Sequence, residues 1–285
     1  MIRLAFMMTL LAAIFVFLGY VVGLLFGAPE IFTLGALLIA IAMNAFSYLY
    51  SDRVVLSMTK AKIVSESDQP VLHRIVSKLA VSAGIPKPKV AIVSSPAPNA
   101  FATGRGPSKS VVAVTTGLLA LLNESELEGV LSHEISHIKH RDVLVASIAA
   151  TVAAAISYLS LVGRVGAVTS DSRNRQASGL ALILSFLAPV AALFIQMAIS
   201  RGREYDADRE GAQLSRRPLS LASALEKIER TASSGARIAA NPSTSPLWII
   251  NPFRGASIVE LFSTHPSTWN RINRLKSMAM EIGAL

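Results

Sequence analysis

Four uncharged, mainly apolar runs dominate this chain: Leu4 to Ala28, Ile31 to Tyr50, Val143 to Gly163 and Gln176 to Ser200. Each has the roughly 20 residues that a helix needs to cross a hydrocarbon core about 30 Å thick. Backbone polar groups find no water there, so each run has to form a helix rather than a loop or an open strand. The first run is longer than the apolar stretch of a signal peptide, and a second follows within a few residues. It reads as a retained anchor. Only 16% of the 285 residues are charged and 52% are hydrophobic, against roughly a quarter charged in soluble domains.

The polar segments carry the orientation signal. The connection around Pro29 and Glu30 has no Lys or Arg, whereas Arg3 precedes the first run and Arg53, Lys60 and Lys62 follow the second. Basic residues beside membrane spans mark the cytoplasmic side, which places the N-terminus and residues 51–142 there. The loop after the third run opposes simple alternation, with Arg164, Arg173 and Arg175 against Asp171. A full crossing by the last two runs remains the expectation, with a hairpin that does not cross as the other reading. The net charge of +9 does not indicate nucleic acid, because the basic residues are scattered without interleaved aromatics. The absence of cysteine excludes disulfides and thiolate metal ligands.

Residues 51–142 and 201–285 together are long enough for one compact domain. Asp68 and Pro70 start a helix whose apolar positions include Leu72, Val76 and Leu79, stopped by Gly84 and Pro86. His73 on it reads as a surface residue. Lys89 to Ser94 and Ser110 to Thr115 read as strands joined by a Pro/Gly-rich loop. Asn123 and Glu126 form a capping box, followed by Leu127, Val130, Leu131, Ile135 and Ile138 at helical spacing. Further helices are expected near Ser200–Leu214, Ser220–Ala232 and Pro266–Ile282, with a Pro/Ser/Asn-rich loop at about 233–255.

On the capped helix lie His133-Glu134-Ile135-Ser136-His137. Two histidines four apart share a face at about 3.6 residues per turn, so both imidazoles can hold one zinc ion. Glu134 between them can take a proton from a water that the ion activates. A catalytic site wants three protein ligands, and no third histidine follows closely. Glu204 and Asp208 share a helical face directly after the fourth run. Glu204 can complete the ligand set while Asp208 orients a ligating histidine from outside. Two crossings between the motifs return the chain to the same side of the membrane. His140 lies on the same face but would close the open position, so it is expected to be structural or solvent-facing. His265, before Pro266, is either a donor to an oxyanion or a turn residue. Asn99 to Gly104 is either a substrate contact or a turn before a strand.

Taken together, the ordered motifs resemble those of the HtpX-type integral membrane zinc endopeptidases, relatives of the CAAX prenyl-protein proteases. The motifs are His133 to His137, Ser200 to Asp208, Asn99-Ala100-Phe101-Ala102-Thr103-Gly104 and Ser263-Thr264-His265-Pro266. The chain departs from the pattern at Ser267, where a second proline usually stands, and at Trp269-Asn270, where acidic residues are common before Arg271. The resemblance implies one zinc on His133, His137 and Glu204, with Glu134 as base and Asp208 behind the metal. It implies catalytic help from His265 and substrate contacts at Asn99, Ala100, Phe101 and Arg271.

The implied fold is α+β and mainly helical, with a gluzincin-like cytoplasmic domain and a small β-sheet. Residues 1–50 would form two membrane helices, 51–142 the first part of the catalytic domain, 143–200 two more membrane helices and 201–285 its second part. The expected partners are the bilayer of the cell membrane and polypeptide substrates, misfolded or damaged membrane proteins among them. A processing peptidase of narrow specificity would use the same residues. A scaffold with structural zinc would leave Glu134 without a purpose.

Overall fold

The structure is a computed structural model that describes residues 2–169, 200–233, 244, 247–249 and 266–281. Three of the four apolar runs fall within them and are helical: α1 (Ile2–Phe26), α2 (Pro29–Met58) and, later in the chain, α6 (Asp142–Thr169). All three are long and apolar enough to cross a membrane. The fourth run, apart from Ser200, lies outside the described residues. α2 has 30 residues. At 1.5 Å per residue that is about 45 Å, so its final turns, with Asp52 and Arg53, outrun a hydrocarbon core. Leu4, Met7 and Leu11 of α1 pack on Leu144, Ile148, Val152 and Ile156 of α6.

In the polar part, β1 (Lys62–Ile63) precedes α3 (Pro70–Ala83), and β2 (Lys89–Val93) and β3 (Ala100–Gly104) follow it. A short 3₁₀ turn then leads to β4 (Ser110–Thr115), α4 (Thr116–Leu121) and α5 (Glu124–Lys139). After the membrane segments come α7 (Arg201–Ser215), α8 (Pro218–Ser233) and α9 (Thr268–Glu281). α3 stops where expected, because Gly84 takes the left-handed φ of 68° that closes the helix at no steric cost. Asp68 does not cap this helix. Its carboxylate accepts from the Ser65 hydroxyl and backbone N–H, and Gln69 takes the cap position.

The sheet order is β1-β2-β4-β3, with β2 and β4 parallel and β3 antiparallel to β4. β3 is therefore an edge strand, in a stretch expected to be a Pro/Gly-rich loop with either a substrate contact or a turn before a strand. Its side chains alternate between two apolar environments, which explains its burial on both faces. Ala100 and Ala102 join the core formed with α3 and α5, beside Val112, Val114, Leu131 and Ile135. Phe101 points the other way, against Val55 of α2 and Ala150 of α6. The sheet is thus sandwiched between the helices of the polar domain and the ends of two membrane-type helices. A buried hydrogen bond of 2.8 Å between the Thr103 and Ser147 hydroxyls joins β3 to α6.

α5 lies at the centre of the domain. Its capping box is present: Glu126 N–H donates to Asn123 Oδ1 at 2.9 Å, and Asn123 N–H to Glu126 Oε2 at 3.0 Å. Leu127, Val130, Leu131, Ile135 and Ile138 bury the expected stripe. His73 is buried rather than on the surface, with Nε2 3.1 Å from the Val64 carbonyl oxygen.

Candidate metal centre

Because α5 is capped at one end and buried along one side, it holds His133, Glu134 and His137 in fixed positions. α7 packs across it and brings Glu204 and Asp208 to the histidine face. His133 Nε2 and His137 Nε2 lie 3.2 Å apart. Glu204 Oε2 is 3.7 Å from the first and Oε1 is 3.5 Å from the second. A tetrahedral zinc with bonds of about 2 Å spaces its ligand atoms about 3.3 Å apart. Two imidazoles and one carboxylate at these separations fit such an ion, and these three residues can hold a metal.

The outer nitrogens are also occupied. His133 Nδ1 lies 3.0 Å from Asp208 Oδ1, and His137 Nδ1 lies 3.2 Å from Asp142 Oδ2. Each carboxylate places the ring proton on Nδ1 and leaves a lone pair on Nε2, directed at the shared point. Asp208 in turn accepts from Arg271 Nη2 at 2.7 Å and Nε at 2.8 Å. Asp142, the first residue of α6, also pairs with Arg203.

The electrostatics of the site favour a cation. Burial alone would lower the His137 pKa, but hydrogen bonding and charge from Glu204, with the charge of Glu134, outweigh it and raise the pKa. Glu134 is itself raised. Burial is the main cause and the charge of Glu204 adds to it, against opposing contributions from His133, His137 and a hydrogen bond from the Ala102 backbone. Asp208 is also buried, yet the Arg271 guanidinium and His133 hold its pKa down at about 2.

His133, Glu134, His137, Asp142 and Glu204 line a cleft bounded by Phe101 and Ala102 of β3, Val143 and Ala146 of α6, and residues 247–249. The alternation of the β3–β4 ladder orients the edge. Asn99 O accepts from Thr115 N–H at 2.9 Å, so the backbone groups of Phe101 and Thr103 face β4. Those of Ala100 and Ala102 face outwards, Ala102 towards Glu134.

The structure therefore brings together His133, Glu134, His137, Glu204 and Asp208, with Ala100 and Phe101 on the adjoining edge strand. It engages two other expected substrate contacts inside the protein. The Asn99 side chain donates to the Leu247 carbonyl and accepts from the Ile249 N–H, both at 3.1 Å. Arg271 is 2% exposed and bound to Asp208. His265 lies outside the described residues. His140 stands apart from the cluster, half-exposed and paired with Glu210. Asp142 went unnoticed in the sequence, where an acid opening an apolar run reads as an ordinary helix start. Its position five residues after His137 was the available signal.

Residues 66–279 match the model of peptidase family M48. A protease HtpX homolog of Pyrococcus furiosus is 51% identical over 288 residues, covering 100% of this chain and 98% of the relative. One from Paraburkholderia phytofirmans is 45% identical over 281 residues, covering 98% and 96%. Among solved structures, the crystal structure of S. mikatae Ste24p matches 92% of this chain with a TM-score of 0.52. The identity there is 15%, and the match spans 62% of the Ste24p chain, so that likeness concerns the fold. Fold, donor set and sequence agree: the chain belongs to peptidase family M48, among its HtpX-type membrane zinc metalloproteases.

Proposed function

We propose that this protease binds one zinc ion on His133, His137 and Glu204, uses Glu134 as general base, and cleaves misfolded or damaged membrane proteins at the cytoplasmic face of the cell membrane. The observation that carries this reading is the spacing of the three donor atoms, 3.2 to 3.7 Å, with the outer nitrogen of each histidine beside its own carboxylate. When bound, zinc supplies Lewis acidity, which acidifies a water and polarises the scissile carbonyl.

The chain's own groups do the rest. Glu134 accepts the water's proton at its carboxylate and delivers it to the leaving amine. Burial raises its pKa, which strengthens it as a base, and the Ala102 backbone hydrogen bond orients it. An extended substrate adds beside β3, hydrogen-bonding to the outward N–H and C=O of Ala100 and the C=O of Ala102. Recognition through backbone tolerates varied side chains, which suits clearance of damaged proteins. Asn99 and Arg271 act from behind, holding residues 247–249 and Asp208 in place.

Glu134→Ala is expected to keep its zinc and lose casein cleavage in detergent by at least the roughly 10²–10⁴-fold typical of a general base. Full activity in that variant would overturn the assignment. In this reading the chain crosses the membrane four times, and residues 51–142 and 201–285 form one catalytic domain on the cytoplasmic side. The chain lacks cysteine, so single cysteines at Ser67 and at Ser170, which is outside the described residues, test this directly. They should react with an impermeant thiol reagent from opposite sides of the membrane. Reaction of both from one side would contradict it.

A further inference from the structure

Glu204, Asp208 and Gly211 lie at helical spacing on one face of α7, the face that meets α5. Gly211 lets the two backbones approach closely. A Cβ there would sit 2.9 Å from the His133 backbone nitrogen, 3.1 Å from its Cα and 3.1 Å from the Ser132 carbonyl carbon. Those are backbone atoms in the middle of a buried helix, so they cannot swing aside as a side chain would. Any larger residue has to move α7 away from α5, and α7 carries Glu204 and Asp208. Both make contacts to His133, at 3.7 and 3.0 Å, that a shift of a few tenths of an ångström changes.

We propose that Gly211 is a positioning residue for the metal centre, setting the α5–α7 separation at which Glu204 and Asp208 meet His133. This rests on the reading that His133, His137 and Glu204 hold the ion. Gly129 supplies a matched comparison on the same α5. Its Cβ would meet Leu221 N at 2.8 Å and Leu221 Cα at 3.0 Å, so it governs the approach of α8, which brings no residue to the site. Gly202 supplies a second. It lies on α7 with only the Ser200 hydroxyl, 4.0 Å away, near an added methyl, so alanine there strengthens the helix without crowding anything.

The experiment compares purified full-length wild type, Gly211→Ala, Gly129→Ala, Gly202→Ala and His133→Ala in detergent. Zinc affinity is read by competition with a chromogenic chelator, and melting temperature is read on the metal-free proteins. Gly211→Ala is expected to bind zinc roughly tenfold or more weakly, the scale set by disturbing groups around a metal's ligands. Gly129→Ala is expected to lose melting temperature but keep wild-type zinc affinity, and Gly202→Ala to keep both. If Gly211→Ala alone is too unstable to purify, Gly202→Ala/Gly211→Ala adds helix propensity to α7 to offset the crowding, and the same criterion applies. Wild-type affinity in the Gly211 variant overturns the proposal. So does an equal loss of affinity in Gly129→Ala, which would make the effect one of general instability. The metal assignment itself fails by a different sign, namely His133→Ala binding zinc as the wild type does.

Discussion

Arg271 closes on Asp208 through two of its nitrogens, Nη2 at 2.7 Å and Nε at 2.8 Å, while the same carboxylate stands 3.0 Å from His133 Nδ1. A residue of the last described helix thereby steadies a histidine of the first helix of the site. Arg271 is almost wholly buried, so its charge depends on this partner and on Glu204, 3.5 Å from Nη1.

Removing one member of such a pair leaves the other buried and uncompensated. Arg271→Ala is expected to cost about 3–5 kcal/mol of stability, measured by denaturation of the protein in detergent. Arg271→Lys is expected to recover only part of the loss, because an ammonium cannot reproduce the two-pronged contact. Wild-type stability in Arg271→Ala would refute the structural role given to the pair.

Two of the buried acids of the site, Asp208 and Glu134, give opposite pH dependences in metal-free protein. Asp208 falls from 3.8 to about 2 on folding, so its contribution is present above pH 3.8 and is lost as the pH drops towards 2. Glu134 is raised above 4.5, so its contribution is present below pH 4.5 and is lost as the pH rises through the raised value. Glu134→Gln is therefore expected to melt higher than wild type near pH 7, with the difference shrinking at acid pH. Asp208→Asn should flatten the acid limb of the same curve. Melting temperatures across pH, taken with chelator present, check both.

Asp142 should matter to the metal although it is not a ligand. It fixes the His137 tautomer from the first turn of α6. Asp142→Asn is expected to weaken zinc binding roughly 10–100-fold, as loss of such outer partners does elsewhere. Unchanged zinc affinity would mean that His137 is oriented by something else.

Much of this site was readable before any coordinates because its geometry is local. A capping box, an apolar stripe and histidines four apart define one helix face, and Glu204 with Asp208 defines another. What stayed hidden depends on packing between distant segments. β3 is short and rich in alanine, a weak strand former, and it is a strand because β4 pairs with it and α2 and α6 cover it. Arg271 was expected to touch substrate, and only the approach of α9 to α7 shows it bound to Asp208. His73 had the spacing of a surface residue but is covered by the segment that carries Val64.

The contact between the Thr103 and Ser147 hydroxyls ties the edge strand to a membrane-type helix. Ser147→Ala alone is expected to cost about 1–3 kcal/mol, because the Thr103 hydroxyl is left buried and unpaired. Thr103→Val with Ser147→Ala should cost less than the two single changes added together. A double-mutant cycle on melting stability reads the coupling, and strict additivity would show that the pair does not interact.

The most direct measurement is the zinc content of purified protein, wild type against Glu204→Ala, by elemental analysis after dialysis. About one zinc per chain is expected in the wild type, the single-ion stoichiometry of a catalytic site, with most of it lost in the variant. A Glu204→Ala protein that keeps its full zinc would contradict the convergence of α5 and α7 on one ion.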